Sequence, residues 1–183
     1  GQMMNECARA VLVKEHDLGI QFDIFMLHDS EDVIHPLSLK LINYFMQAAD
    51  FIQIPIYSFD VPKTQLVAGT YIDEFAEHHT KEMLLRSHLK QAVPSAGTGT
   101  ALSRHLTLAL MERQNGGILK EDTLTEDYHI GNSAYLLGFR SLFLCYYLEL
   151  KSGAWDFIAT REYFPKTLRF SIRQKTRWCI GIC

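Results

Sequence analysis

The sequence predicts an α/β fold in which a mostly parallel sheet is flanked by helices. Residues 22–27 and 51–57 are predicted strands, because apolar side chains dominate both segments. A helix that opens near Pro36 separates them, and proline is favoured at the start of a helix. A strand, a helix and a second strand in this order are typical of parallel sheets. With 183 residues, the chain has the length of one ordinary domain, and we expect residues 1–183 to form it.

The remaining segments extend this pattern along the chain. Apolar residues at helical spacing predict helices over residues 4–18 and 71–89. Further helices are expected over three other segments, residues 103–113, 124–137 and 164–182. The apolar residues 139–150 predict one long strand or a pair of strands, and the small residues of 94–100 predict a loop.

The charge and cysteine content argue against several classes of protein. Lys and Arg number 18 against 21 Asp and Glu, which gives a net charge of -3. This balance argues against a nucleic-acid partner bound through its phosphates, whereas a small nucleotide needs only local neutralisation by a divalent cation. The four cysteines form no C-x-x-C pair, so we expect reduced thiols rather than disulfides or a zinc site. No apolar run reaches about 18 residues, the length of a membrane span.

Three acidic residues follow the first predicted strand: Asp29, Glu31 and Asp32. Ligands of open α/β sheets bind beyond the carboxyl ends of the strands. Two carboxylates at such a position can share Mg²⁺, which prefers oxygen ligands and is often completed by substrate phosphates. An exposed acidic turn, or a helix N-terminus whose acids offset the helix dipole, explains the same residues without a metal.

A second acidic segment, Thr125-Glu126-Asp127, stands at the start of a predicted helix. Thr125 is a suitable N-cap, and acidic residues are favoured in the first helical turn. The alternative is catalytic: a carboxylate close to a metal-bound diphosphate can act as a general base for a hydroxyl group. The residues alone leave both interpretations open.

The last predicted helix carries Gln174, Arg177 and Trp178 on one face, because their spacing matches the helical repeat. An indole beside a guanidinium suits a sugar ring stacked on Trp178 and a diphosphate held by Arg177. A basic helix lying on an anionic membrane surface, with Trp178 at the interface, is compatible with the same pattern. Gly97 and Gly99 belong either to a plain turn or to a site where the backbone approaches a ligand closely.

The order of these motifs resembles glycosyltransferase family 2, in its processive membrane-bound branch of polysaccharide synthases. Five segments carry the resemblance: the L-N-x-A-like segment 4–7, the D-x-D-like segment 29–36, the acceptor-pocket-like loop 97–99, the T-E-D segment 124–127 and the Q-x-x-R-W segment 173–178. Residues 70–77 and 159–165 resemble one inner-membrane type within this family. The resemblance thus covers nearly the whole chain.

The resemblance implies a GT-A fold, which is Rossmann-like, and a nucleotide-diphosphate sugar, such as a UDP-sugar, as the donor. The sheet is expected to be incomplete at its N-terminal side, because the family's first nucleotide-binding strand would precede Gly1. Both ends of the chain are accordingly expected to continue in a longer protein.

The resemblance also assigns roles to individual residues. Asp29 and Glu31 would hold Mg²⁺ or Mn²⁺ together with the donor diphosphate, and Asp32 is an additional candidate. Asp127 would be the base that deprotonates the acceptor hydroxyl, so that a single in-line displacement inverts the anomeric carbon. Six residues would bind the donor or the acceptor: Gly97, Thr98, Glu126, Gln174, Arg177 and Trp178.

The implied setting is the cytoplasmic face of the bacterial inner membrane, where the enzyme would extend an exopolysaccharide acceptor. Residues 163–183 would form an amphipathic helix at the membrane interface, next to transmembrane helices outside this sequence. Domains outside it would supply an outer-membrane partner and a response to cyclic di-GMP.

Two other functions fit parts of the sequence. A catalytically silent glycosyltransferase-like domain could serve as a scaffold or receptor component of an envelope complex, because fold resemblance does not establish activity. A metal-dependent phosphohydrolase could use the Asp29 cluster, but it would leave the Q-x-x-R-W segment unexplained.

Overall fold

The structure is a computed structural model that describes residues 1–120 and 124–182. The helices in this part of the chain are α1 (Gln2–Leu18), α2 (Ser38–Phe45), α3 (Leu66–Glu77), α4 (Met83–His88), α5 (Arg104–Arg113), α6 (Tyr128–Leu136) and α7 (Leu168–Ile182). A π-helical turn, His78–Glu82, joins α3 to α4. The strands are β1 (Ile24–Leu27), β2 (Val33–Ile34), β3 (Phe51–Gln53), β4 (Ile56–Ser58), β5 (Thr100–Ser103), β6 (Ser141–Phe143), β7 (Tyr147–Glu149), β8 (Trp155–Phe157) and β9 (Thr160–Glu162).

The central sheet has four strands in the order β1-β5-β3-β6. Strand β5 runs antiparallel to both of its neighbours, with Phe25 and Phe51 on either side of Leu102, while β3 and β6 are parallel. The expected α/β class with flanking helices is confirmed, but the strand directions are mixed rather than mostly parallel. The difference comes from β5, whose four residues directly follow the small-residue loop and are too few to show a clear alternation.

Two further sheets form where predicted strands divide. Segment 51–57 breaks at Pro55, because proline has no N–H group with which to continue a strand ladder. Strand β3 stays in the central sheet, and β4 joins a second sheet of order β2-β9-β4. Segment 139–150 likewise supplies β6 to the central sheet and β7 to a hairpin with β8, so the pair of strands is the correct alternative there.

Three helices begin four or five residues away from their predicted starts. Helix α6 begins at Tyr128 rather than at 124, because Asp127 is its N-cap: the Asp127 carboxylate accepts a hydrogen bond from the Tyr128 N–H group at 2.9 Å. Thr125 is therefore not the cap. Helix α7 begins at Leu168 rather than at 163 or 164, since Pro165 disfavours helical geometry at the residue before it. Helix α3 begins earlier than predicted, and the π turn continues it into α4.

The central sheet packs against helices on both of its faces. Side chains alternate between the faces along β3, so Phe51 and Ile52 belong to different apolar clusters. Phe51 packs with Leu106 of α5 and Ile130 of α6, whereas Ile52 packs with Ile42 of α2. All five side chains are at most 1% exposed, so the sheet and these helices form one closely packed frame.

A third apolar cluster fastens α7 to the rest of the molecule. Ile56 of β4, Tyr71 of α3 and Phe164 form it, and Trp178 of α7 packs against it. The Tyr71 hydroxyl also donates a hydrogen bond to the Ser171 carbonyl at 3.2 Å. Helix α7 is thereby held beside the second sheet.

Helix α1 is anchored by the side chain of Asn5, which is 1% exposed. Its Oδ1 atom accepts hydrogen bonds from the N–H groups of Ile118 and Leu119 at 2.8 and 2.9 Å. Its Nδ2 atom donates one to the Leu119 carbonyl at 2.9 Å. The asparagine of the L-N-x-A-like segment therefore has a structural role, because it joins α1 to the chain that follows α5.

Cys7, Cys145 and Cys179 carry free thiols. Cys183 lies outside the described residues. Across residues 1–120 and 124–182, no helix is both long enough and apolar enough to cross a membrane.

Helix α6 approaches the chain before the small-residue loop so closely that only glycine fits at position 131. A Cβ atom there would overlap the carbonyl oxygen of Val93. We expect Gly131→Ala to lower the free energy of unfolding by about 2 kcal/mol, a usual cost of overpacking. Gly69→Ala is the matched control, because Gly69 lies inside α3 with open space at its Cβ position. There the same change should raise stability by about 0.5–1 kcal/mol. Urea denaturation measures both, and equal effects would contradict the packing argument.

Candidate functional site

A cleft of about 900 Å³ is bounded by the second sheet, the π turn, the small-residue loop and α7. Its wall includes six residues that the sequence singled out: Asp29, Thr98, Asp127, Gln174, Arg177 and Trp178. These residues come from four separate parts of the chain. The fold therefore brings the acidic turn, the loop, the T-E-D segment and the Q-x-x-R-W segment together at one place.

Asp127 lies at the start of α6, where the Tyr128 N–H group holds one of its carboxylate oxygens, Oδ1. The other oxygen, Oδ2, faces Gly97, where a Cβ atom would lie only 2.5 Å from it. Gly97 has a φ of +84°, a conformation that other residues adopt at a cost. Burial raises the pKa of Asp127, and the Glu126 charge adds to the increase, while the hydrogen bond from Tyr128 and the Arg177 charge oppose it. A half-buried carboxylate of this kind is suited to accept a proton.

The acidic turn after β1 is organised around Asp32, whose side chain is 0% exposed. Its Oδ2 atom accepts hydrogen bonds from the Asp29 N–H group, at 2.8 Å, and from the Thr98 hydroxyl. Asp32 therefore ties the turn to the loop, while Asp29 is the acid of this turn that lines the cleft. Burial raises the pKa of Asp29, and the charges of the neighbouring acids, Asp32 first among them, raise it further.

The small-residue loop is held by Gln53, a residue that no sequence motif marks. Gln53 ends β3 and is 0% exposed. Its Oε1 atom accepts hydrogen bonds from the Ala96 N–H group at 3.0 Å and from the Thr100 hydroxyl at 2.7 Å. Its Nε2 atom donates to the carbonyls of Ile54 and Thr98 at 2.8 Å. The sequence signal that could have pointed to Gln53 is a polar side chain within an otherwise apolar strand.

Helix α7 presents Gln174, Arg177 and Trp178 to the cleft. The Trp178 ring packs against Phe75 and Tyr71, with ring centroids 6.0 and 6.1 Å apart. The Gln174 Oε1 atom is buried without a hydrogen-bond partner in the described part of the chain. Arg177 is exposed, and no described carboxylate pairs with it within 4 Å. Both polar groups are therefore free to bind a ligand.

The C-terminal end of α7 lies against the T-E-D segment. A Cβ atom on Gly181 would stand 2.6 Å from the Thr125 hydroxyl oxygen, so the helix comes this near because position 181 has no side chain. Thr125 is 5% exposed. Contact between α7 and this segment closes one side of the cleft.

Comparison with known proteins identifies the family. Residues 24–183 match the family model described as glycosyl transferase family group 2. The chain belongs to this family. It is 39% identical over 191 aligned residues to bacteriophage adsorption protein B of Escherichia coli K12, and equally to bacteriophage N4 adsorption protein B of Escherichia coli O157:H7. The matches cover 98% of this chain and 26% of each relative, so the chain spans about a quarter of their length.

These similarities confirm the resemblance to glycosyltransferases on which the residue roles depend. Residues 70–77 and 159–165 resemble one type within the family. The two relatives identify this type as that of the adsorption proteins. The mixed α/β fold with flanking helices is consistent with a GT-A-like glycosyltransferase domain.

Four candidate residues of the glycosyltransferase motifs are not part of the cleft wall: Glu31, Asp32, Gly97 and Glu126. Glu31 is exposed on the acidic turn, where its Oε2 atom accepts a hydrogen bond from the Ser30 hydroxyl at 3.1 Å. Glu126 lines a different depression, beside His129. The fold thus directs Glu126 into one depression and Asp127, the next residue, into the cleft.

Two further ionisable residues of the cleft wall, Glu162 and His79, lie outside the five segments to which the resemblance assigns glycosyltransferase motifs. Glu162 ends β9; burial raises its pKa to about 7, together with the charges of the acidic turn, of which Asp32 contributes most. His79 lies in the π turn with 1% exposure, and its Nδ1 atom is 3.1 Å from the Ile56 backbone nitrogen. Burial lowers the pKa of His79 to about 4, so its ring is neutral at pH 7. Glu162 and His79 are isolated polar residues in the sequence. Their surroundings in the fold come from distant segments, so no local pattern marks them.

The acidic turn has the chemistry of a divalent-cation site that a ligand must complete. Among the described residues, no three histidine, cysteine, aspartate or glutamate side chains are grouped so that they could hold a metal alone. However, the Asp32 Oδ1 atom is buried with no hydrogen-bond partner within residues 1–120 and 124–182, and the charges of Asp29, Asp32 and Glu162 repel one another. Oxygen donors of this kind fit Mg²⁺ or Mn²⁺, since Mg²⁺ is usually bound by one or two carboxylates plus substrate phosphates.

We expect Gln53→Leu to lower the free energy of unfolding by about 3 kcal/mol. Leucine has a similar size but leaves the Ala96 N–H group and the Thr98 carbonyl without their partner, and each such loss costs about 1–3 kcal/mol. Gln21→Leu, at an exposed position before β1, is the control and should change stability by less than about 0.5 kcal/mol. Chemical denaturation measures both variants. A Gln53→Leu protein as stable as the wild type would show that the loop does not depend on this amide.

Proposed function

We propose that this domain transfers a sugar from a nucleotide-diphosphate donor, such as a UDP-sugar, to a growing exopolysaccharide, with inversion at the anomeric carbon. Membership of the glycosyltransferase family supports sugar transfer. The observation that carries the finer proposal is the meeting of Asp29, Asp127 and Arg177 at one cleft. The cleft volume of about 900 Å³ lies in the range of small-molecule sites, about 300–1,000 Å³.

The donor would lie between the acidic turn and α7. The free guanidinium of Arg177 suits the diphosphate, because arginine forms strong, often bidentate hydrogen bonds with phosphate oxygens. The unpaired Gln174 Oε1 atom can accept a hydrogen bond from a sugar hydroxyl, and the Trp178 ring offers an apolar face for the sugar. Gly97 and Thr98 would support the acceptor from the small-residue loop.

Mg²⁺ or Mn²⁺ is the proposed cofactor, held by Asp29 and Glu31 together with the donor diphosphate. When bound, such a cation neutralises the diphosphate and so stabilises the leaving group. Asp32 would position Asp29, because the Asp32 carboxylate accepts a hydrogen bond from the Asp29 N–H group and so fixes the backbone of the turn.

Asp127 is the proposed general base. An acceptor hydroxyl attacks the anomeric carbon while the bond from that carbon to the diphosphate oxygen breaks, and the hydroxyl proton passes to Asp127. The raised pKa of Asp127 makes it a stronger proton acceptor than an ordinary carboxylate. Attack from the side opposite the leaving group inverts the configuration of the carbon.

The proposed setting is the cytoplasmic face of the bacterial inner membrane, within a longer protein. Phe170, Ile172 and Ile180 are exposed on α7, on the same helix as the cations Arg169 and Arg173. A helix with exposed apolar and basic residues suits a membrane interface. Transmembrane helices, an outer-membrane partner and cyclic di-GMP would be contacts of segments outside this sequence. The relatives are named for bacteriophage adsorption, which fits a protein of the cell envelope.

We expect Asp127→Asn in the full-length protein to reduce sugar transfer by about 10³-fold, the scale of lost general-base catalysis. Binding of UDP with Mg²⁺ should survive, because the amide keeps the shape of the side chain and Asp127 is not assigned to the donor. Turnover of radiolabelled UDP-sugars measures the first quantity, and calorimetric titration of UDP measures the second.

Asp17→Asn, an exposed position on α1, is the control and should behave as the wild type. Full turnover by Asp127→Asn would overturn the role of Asp127. If the wild type itself neither turns over a nucleotide sugar nor binds UDP, a catalytically silent scaffold becomes the better explanation.

We expect Gly97→Ala to reduce transfer by about 100-fold, the effect of displacing a reacting group by about 1 Å. The new methyl group would collide with the Asp127 carboxylate. Gly153→Ala is the matched control, since Gly153 also has a positive φ, +79°, but has nothing within 4 Å of its Cβ position. Both variants should lose about 1–2 kcal/mol of stability from backbone strain. Equal activities of the two variants would show that the contact between Gly97 and Asp127 does not position the base.

A further inference from the structure

Strand β9 ends in the cleft on a carboxylate that has no partner among the described residues. The side chain of Glu162 lines the cleft and is half-buried. No described residue donates a hydrogen bond to it or forms an ion pair with it. A partly buried charge normally acquires such a partner, because removing it from water is costly. An unpaired carboxylate in a cleft therefore indicates a ligand.

The pairing of β2 with β9 places this carboxylate opposite the acidic turn. The two strands are antiparallel, with Val33 opposite Arg161 and Ile34 opposite Thr160. Asp32 directly precedes β2, and extending this register by one residue brings it opposite Glu162. The Asp32 charge is also the largest that acts on Glu162. Like charges in such proximity repel each other, so the approach of the two acids costs stability.

The direction of the Glu162 side chain follows from its neighbour on the same face of β9. Side chains two residues apart in a strand share a face. Thr160 faces the small-residue loop, since its hydroxyl oxygen would lie 2.8 Å from a Cβ atom on Gly99. Glu162 thus extends on that same side, beside the acidic turn.

The charge around Glu162 specifies the kind of ligand. The Asp32 Oδ2 atom accepts hydrogen bonds from the turn and the loop, whereas its Oδ1 atom is buried without a partner in the described part of the chain. Asp29, Glu31 and Asp32 all act on Glu162 as like charges. A sugar hydroxyl is neutral and would leave this repulsion in place, whereas a cation offsets it.

We infer that Glu162 is a further carboxylate of the divalent-cation site, acting from β9 opposite Asp32 and beside Asp29. The inference rests on the proposed function, which places the cation at the acidic turn. It assigns part of the site to a second sheet that the acidic motif does not include. The donor diphosphate and water would complete the coordination, because Mg²⁺ usually keeps several such oxygen ligands.

The test is Mn²⁺ binding by the full-length protein in the presence of UDP, measured from the electron paramagnetic resonance signal of free Mn²⁺. Glu162→Gln should weaken Mn²⁺ binding about tenfold, the lower range for loss of a group that supports a metal site. Glu162→Asp keeps the charge and should bind Mn²⁺ more tightly than Glu162→Gln. Glu149→Gln, exposed on β7, is the matched control and should bind as the wild type.

Thermal unfolding without a divalent cation separates this role from a structural one. Glu162→Gln removes a charge that repels its neighbours, so the melting temperature should stay the same or rise. A lower melting temperature would indicate that Glu162 stabilises the fold, and would overturn the inference.

The outcomes for Asp29→Asn distinguish the inference from the proposed function. If Asp29→Asn loses Mn²⁺ binding while Glu162→Gln keeps wild-type affinity, the inference fails and the proposed cation site stands. If the wild type with UDP binds no Mn²⁺, the inference and the cation part of the proposed function both fail.

Discussion

The cleft depends above all on the buried amide of Gln53. A side-chain amide offers two donor hydrogens and an acceptor oxygen in one rigid plane, and Gln53 uses all of these functions on the small-residue loop and its own strand. The loop then makes two further contacts, Gly97 with Asp127 and the Thr98 hydroxyl with Asp32. The proposed base and the acidic turn are therefore positioned by the same interaction, although they belong to distant parts of the sequence.

The fold was predictable where apolar spacing continues over several turns, as in α1. It was not predictable at β5, because four residues between a loop and a helix are too few to reveal an alternation. Pro55 gave a local signal that segment 51–57 divides. The partner of the second half could not be inferred, since β4 pairs with β9 far along the chain. Sheet membership is a tertiary property, and this explains why the mixed strand directions were missed.

The site shows the same limit at the level of single residues. Asp29 and Arg177 could be found because they belong to motifs whose chemistry restricts the residue type, and the cleft brings them together. Glu162 has no such motif. It becomes unusual only once the pairing of β2 with β9 brings it close to Asp32, which directly precedes β2. Gln53 likewise acquires its role from the loop that folds over it.

The charges of the cleft favour a diphosphate that arrives with a cation over a bare diphosphate or a neutral sugar. Asp29 and Glu162 belong to one acidic region: burial raises the pKa of both, and repulsion from the charges of Asp32 and Glu31 raises both further. A bare diphosphate would add to this repulsion, and a neutral sugar would leave it unchanged. Arg177 of α7 also lines the cleft, and in the proposed function it would supply positive charge for the phosphate oxygens that a cation at the acidic turn does not reach. Asp127 interacts electrostatically with both sides of the cleft. Its charge raises the pKa of Asp29, and the Arg177 charge lowers the pKa of Asp127. Binding of the charged donor therefore changes the electrostatic environment of the base, which links donor binding to the proton transfer proposed for Asp127.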